Sequence, residues 1–245
     1  MNKNQNSKLT PLAIIVSAVL ISLSLFFGLQ KTRSRVDVLS KETSPTTEVP
    51  AKTKKVITSI DNDPIMGNKD VAKVAIVEFS DYECSYCKRF RNQTHDRLME
   101  EYIDTEKAIL VFRDLPLGFH NPAAEQEAMA AECARDQGND AAYFEYHDKI
   151  FETTPGNGKG IALEELGNLA AEMGLDSTKL QECIETKQFK DEIAQDVADA
   201  AKAGINGTPG FVIGILSEDG SVEGTLISGA QPFSVFQEVL EEYLN

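Results

Sequence analysis

Two cysteines with two residues between them, Cys84-Ser85-Tyr86-Cys87, are close enough to make and break one disulfide. That chemistry needs a thiolate at one position and a shielded thiol at the other. Residues 74–79, Val-Ala-Ile-Val-Glu-Phe, form a short, mostly apolar run that predicts a buried strand. Beyond the pair, Cys87, Phe90, Thr94, Leu98 and Tyr102 recur at three and four residues, which predicts one face of a helix. The pair therefore sits where a strand ends and a helix begins, the setting in which Cys-x-x-Cys reads as a redox motif. Free N–H groups at a helix start carry partial positive charge and stabilise a thiolate. Cys84 is expected to be the exposed attacking thiol, with a pKa below the free value of about 8.5. Cys87 shares the inner face with Phe90 and is expected to be the shielded partner. Lys88, Arg89 and Arg91 add positive charge nearby, against Asp81 and Glu83; the plain alternative for the three cations is a solvated helix face.

Other residue types with chemical potential are few. His95 and His147 fall on predicted helices and read as structural. His120 follows Pro116-Leu117-Gly118-Phe119, in a loop that could approach the redox pair. Cys133 and Cys183 lie far from the pair and from each other, so a four-cysteine zinc site lacks its second close pair and no metal is expected. No cofactor is implied.

Around these residues the elements are legible in chain order. Residues 12–29 are an uncharged run about 27 Å long as a helix, close to a bilayer's hydrocarbon thickness. A cleaved signal peptide competes with an uncleaved anchor, but no small-x-small cleavage site or lipid-accepting cysteine is present after it, so 1–30 reads as a signal anchor and transmembrane segment. Flanking charge does not decide its orientation. Four cysteines and an oxidising chemistry do: the bulk of the chain is expected outside the cytoplasm, tethered to the cell membrane by a single pass. Residues 31–55 lack apolar periodicity and read as a flexible linker. Residues 1–55 hold nine Lys/Arg against three Asp/Glu, so the chain's net charge of −15 comes wholly from residues 56–245, and such an acidic domain argues against nucleic acid as a partner. Residues 56–60 predict an edge strand and 108–113 a second central strand. Helices are expected at about 121–137, 140–151, 163–173, 177–186 and 189–203, with Asp176 capping the fourth. Residues 211–215 and 224–228 predict a hairpin turning at Asp219-Gly220, and a last helix runs from Pro232 to about Tyr243.

From about Asp63 onward, the strand, the Asp-Tyr-Glu-Cys-Ser-Tyr-Cys segment and the later pieces resemble the DsbA-like thiol:disulfide oxidoreductases. The resemblance implies an α/β, thioredoxin-like fold with an inserted all-helical domain: 56–120 and 204–245 for the thioredoxin-like part, 121–203 for the insert. It implies that Pro209, in Gly207-Thr208-Pro209-Gly210, is cis and faces the cysteines, with Thr208 offering its backbone to a substrate peptide. Gly210 and Ser85 depart from the family's usual residues and leave the groove's shape and the potential open. Glu78 matches a buried acid thought to relay protons to the inner cysteine; an edge-exposed acid is the alternative. Some members carry a second disulfide in the helical domain, which suggests Cys133–Cys183, against two separate buried thiols. The implied activity is oxidation of exported thiol-containing proteins by the Cys84–Cys87 disulfide, renewed by a quinone-linked membrane partner. A reductase or isomerase using the same parts, or a non-catalytic peptide-binding module or holdase, stand as alternatives; the presence of both cysteines argues against the last.

Overall fold

A computed structural model describes residues 54–245. The expected anchor at residues 12–29 and nearly all of the linker lie outside them. No helix among the described residues is long and apolar enough to cross a membrane.

Among the described residues, six strands form one mixed sheet in the order β1-β6-β5-β3-β4-β2. They are β1 (Lys55–Ser59), β2 (Ile65–Met66), β3 (Val74–Ser80), β4 (Ala108–Asp114), β5 (Gly210–Leu216) and β6 (Ser221–Ser228). Within this sheet only β3 and β4 run parallel; every other pairing is antiparallel. A parallel pair needs a crossover, and the helix after the cysteines supplies it. All seven residues of β3 and all seven of β4 are buried, as expected of central strands covered on both faces. β2 adds a strand beyond those the sequence predicts, being too short to carry a periodic signature.

Pleating divides β3 between two cores. Val74 and Ile76 pack with Phe90, Leu98 and Tyr102 of the crossover and with Phe236 and Leu240 of the last helix. Ala75, Val77 and Phe79 pack on the other face with Ala200 and Ala203. The crossover, α1 (residues 85–103), contains two π-helical stretches, Arg91–His95 and Met99–Ile103. The wider π turn shifts the buried face, which takes in His95 and Ile103 besides the expected positions.

Between β4 and β5 the chain runs through five helices: α2 (Ala123–Gln137), α3 (Asp140–Thr153), α4 (Leu163–Glu172), α5 (Ser177–Thr186) and α6 (Lys190–Ala203). α7 (Phe233–Leu244) closes the chain. Asp176 caps α5 by accepting from the Thr178 and Lys179 N–H groups. A disulfide joins Cys133 on α2 to Cys183 on α5. The helical core they belong to also contains Tyr82, Cys84, Cys87 and Phe112. The dithiol thus lies at the seam where the helical segment between β4 and β5 meets the six-stranded sheet.

One buried feature has no signature in the sequence. Arg113, fully buried on β4, meets Asp63 and Asp196 at 2.7 Å each and Asp199 at 3.1 Å. This cluster fastens α6 and the segment before β2 to the sheet.

Candidate active site

β3 ends at Ser80, and Asp81 to Cys84 turn the chain into α1. Cys84 is the helix N-cap, with extended backbone angles, and its carbonyl accepts from the Lys88 N–H at 3.1 Å. Contrary to expectation Cys84 is not exposed: only 6% of its surface is accessible. The 115–122 loop and the residues before β5 close around it. It forms the floor of a groove of about 370 Å³ whose walls include Tyr86, Leu117, His120, Asn157 and Thr208.

The two thiols are free and unequal. The Cys84 pKa is lowered to about 6, first by the hydrogen bond from the Cys87 thiol, then by the Thr208 side chain and by the Cys87 and Tyr86 N–H groups at the helix start, with burial opposing. Cys87 is 1% exposed, and burial, reinforced by the neighbouring Cys84 sulfur, pushes its thiol well above the ordinary value. A helix terminus and one shared proton thus make one good leaving group and one protected thiol.

Residues before β5 complete the groove. The Thr208–Pro209 peptide is cis; so is Asn121–Pro122, a bond for which the sequence carries no signal. When Cys84 is protonated, its thiol donates to the Thr208 carbonyl at 3.5 Å, so this backbone faces the dithiol. The Pro209 carbonyl is tied to the Gly229 N–H at 2.8 Å. At Gly210 a Cβ would come within 2.6 Å of the Ile205 side chain, which explains why a residue without a side chain stands there.

Glu78 lies mid-sheet on β3, 4% exposed, on the face that carries α1. Burial raises its carboxyl to about 7, with the Ser80 hydroxyl and Arg91 opposing. Ser80 is two residues along, on the same face, and its hydroxyl also acts on the Cys87 thiol. That hydroxyl is buried and makes no well-formed hydrogen bond among the described residues, so it is free to turn between the two.

In sequence, Asp81 and Glu83 read as charges opposing the cations. Both are buried fasteners instead. Asp81 accepts from the Glu83 N–H at 2.8 Å and the Leu117 N–H at 2.9 Å, and it lies 2.8 Å from His120 Nδ1. Glu83 accepts from the Thr154 hydroxyl and from the Gly160 N–H at 3.2 Å, while its carbonyl takes the Asn157 N–H at 2.8 Å. Glu127 on α2 stands beside Glu83; burial first, then the Glu83 charge, raises it to about 8. The 154–161 loop, with Gly156, Asn157, Gly158 and Gly160 at positive φ, is thereby bound to the redox turn. Its turn-forming composition is visible in sequence, its target is not. The cations are also engaged: Lys88 donates to the Thr154 carbonyl, Arg89 to the Ala230 carbonyl, and Arg91 pairs with Asp148. His95 and His147 are buried structural side chains, the latter among Tyr82, Phe112 and Tyr143. His120, by contrast, reaches the groove.

A family model described as "Thioredoxin" matches residues 59–223. The chain is 31% identical over 153 residues to "Na(+)/H(+) antiporter NhaA 3" of Salinispora tropica, covering 62% of this chain and 22% of that protein. A second antiporter relative, from Salinispora arenicola, is covered over 24% of its length. The chain thus spans about a quarter of these relatives. It is 29% identical over 153 residues to "Disulfide bond formation protein D" of Bacillus subtilis, covering 62% of this chain and 67% of that one. Among solved structures, BdbD from Bacillus subtilis in its oxidised form superposes with a TM-score of 0.69 at 22% identity, over 79% of this chain and 99% of that one, a likeness of fold. Wolbachia pipientis alpha-DsbA1 superposes with a TM-score of 0.64 at 25% identity, over 75% of this chain and 92% of that one.

Proposed function

Because the chain belongs to the thioredoxin family and, within it, to the DsbA-like proteins, we propose that it is an extracytoplasmic oxidase that passes its Cys84–Cys87 disulfide to exported proteins. The observation that carries this reading is the inequality of the two thiols. A Cys84 thiolate stabilised to about pKa 6 favours the reduced form, and a protein whose reduced form is stabilised is an oxidant. A substrate thiolate attacks Cys84 Sγ, forming the mixed disulfide as the Cys84–Cys87 bond breaks. Cys87 leaves as a thiolate in a site that disfavours it and takes up a proton, for which Glu78 is the source at hand through the Ser80 hydroxyl. A second substrate thiol then attacks the mixed disulfide and releases the reduced dithiol. Thr208 lines the wall against which an extended peptide lies, with the buried cis Pro209 next to it in the chain, and exposed Tyr86 and Phe119 offer apolar contact beside the sulfur. Residues 12–29 tether the domain to the membrane, and a quinone-linked membrane oxidase renews the disulfide.

Equilibration with glutathione buffers tests the direction. A potential well above the roughly −270 mV of thioredoxin is expected. A value at or below it would assign the same parts to a reductase.

A further inference from the structure

His120 and Asp81 fasten the 115–122 loop to the redox turn, yet their arrangement is also that of a base held by an orienting carboxylate. His120 is 7% exposed and shares the groove with Cys84. Asp81 is 1% exposed, and its two oxygens already receive the Glu83 and Leu117 N–H groups. A carboxylate that takes these bonds acts as an acceptor, so the contact at 2.8 Å places a proton on His120 Nδ1. In the neutral ring Nε2 then carries the lone pair, and the ring's one hydrogen-bond contact among the described residues is that at Nδ1. Apart from Cys84 itself, the groove's other polar side chains are hydroxyls and the amides of Asn157 and Asn206, none of which takes up a proton near neutral pH. The charged groups on the surrounding elements are otherwise engaged. Glu83 is turned into the 154–161 loop, Glu125 on α2 pairs with Lys187, and Lys159 is exposed.

We propose that His120, oriented by Asp81, is the general base that deprotonates the incoming substrate thiol. This rests on the thiol-exchange reading above. A cysteine of ordinary pKa, about 8.5, is only a few per cent ionised at pH 7. An apolar wall such as Leu117 and Phe119 lowers that fraction further. Nε2 accepts the S–H proton as the substrate sulfur bonds to Cys84 Sγ, and the electron pair of the broken Cys84–Cys87 bond leaves on Cys87. The imidazolium loses its proton to solvent after the step. In the opposite direction it returns a proton to the departing substrate thiolate. Many redox dithiols rely on the attacking thiol's own ionisation; here the loop after β4 brings a base to it.

The test is the rate of exchange between the full-length protein and a cysteine peptide, measured from pH 5.5 to 9.5 for the natural protein and for His120→Gln. The Cys84 thiolate is followed in parallel by its absorbance. Taken over the whole range, the natural protein's log rate should rise less steeply with pH than that of His120→Gln. His120→Gln should be slower by about tenfold or more near pH 6.5, rise with unit slope, and meet the natural protein above pH 9, where the peptide ionises unaided. His120→Ala should regain rate when imidazole is added. Superimposable profiles, or a loss equal at every pH with no imidazole rescue, would overturn the proposal. Because the proton is returned in the reverse step, the signature survives if the glutathione equilibrium shows a reductase, so the two readings fail separately.

Discussion

Cys84 and Cys87 are one helical turn apart, yet burial and a single hydrogen bond push their proton affinities in opposite directions. The Cys87 thiol is the foremost cause of the lowered Cys84 pKa, so Cys87→Ala should raise it from about 6, as followed by thiolate absorbance. An unchanged value would transfer the effect to the helix N–H groups and Thr208. A depressed folded pKa gives a stability contribution that is full above the unfolded value and lost as pH falls through the folded one. The reduced protein should therefore lose thermal stability relative to the oxidised protein as pH falls from 9 to 6, by at most about 4 kcal/mol. Glu78 has the opposite sign: its carboxyl is raised to about 7, so its burial costs stability as pH rises from about 4.5 through 7. Glu78→Gln should stabilise the protein at pH 8 by up to about 3 kcal/mol while slowing the step that protonates Cys87. Denaturation at pH 5 and pH 8, with stopped-flow exchange on the same samples, separates the gain from the loss. A variant that is destabilised at pH 8, or that exchanges at full speed, would remove Glu78 from the relay.

At the scale of elements, the insertion is joined to the sheet by polar and covalent fasteners as well as by apolar packing. The Cys133–Cys183 bond spans 50 residues and ties α2 to α5. Replacing both cysteines by Ala should cost about 4 kcal/mol in the chain-entropy account, read from denaturant midpoints, and leave the Cys84–Cys87 potential unmoved. A shifted potential would mean that this bond acts on the site through the helical core that both cysteine pairs share. The Arg113 cluster makes a second joint. Burial foremost, with the Asp196 charge added, raises Asp63, and burial raises Asp196 to about 6 against the pull of Arg113. Arg113→Leu leaves these carboxyls without their cation and should destabilise the fold by about 3–5 kcal/mol at pH 7.5. The penalty should shrink at pH 5, where protonation relieves it; an equal penalty at both pH values would point to lost packing alone.

For the whole molecule, a basic, partly apolar N-terminal stretch precedes an acidic domain, and the tether proposed above rests on the apolar run and the cysteine chemistry rather than on that charge. Residues 12–29 should stay attached and hold the domain outside the membrane. Mass analysis of membrane-extracted protein, with protease access on intact cells, checks both. A mature N-terminus beyond residue 29, or a protected domain, would contradict the tether.

What the amino-acid sequence determined by itself is local. The apolar run of β3, the three-and-four spacing after Cys87 and the Asp176 cap each act within a few residues, so the order of elements and the position of the dithiol at a strand–helix junction were legible. Glu78 and Thr208 were also legible as candidates, because their place relative to the cysteines comes from the resemblance. What only the tertiary structure decided is contact between segments far apart in the chain. Asp81 and His120 are 39 residues apart and Glu83 and Thr154 are 71 apart, and no periodicity encodes either pairing. Cys84 looked exposed because a helix start is usually open to water; the 115–122 loop and Thr208 close over it only once β4 and β5 flank β3. Arg113 closes the run that predicts β4, and nothing in that run shows that α6 brings Asp196 and Asp199 against it. In each case the sign of the effect, solvated charge or buried fastener, depends on desolvation, and desolvation is a property of the packed molecule rather than of the residue.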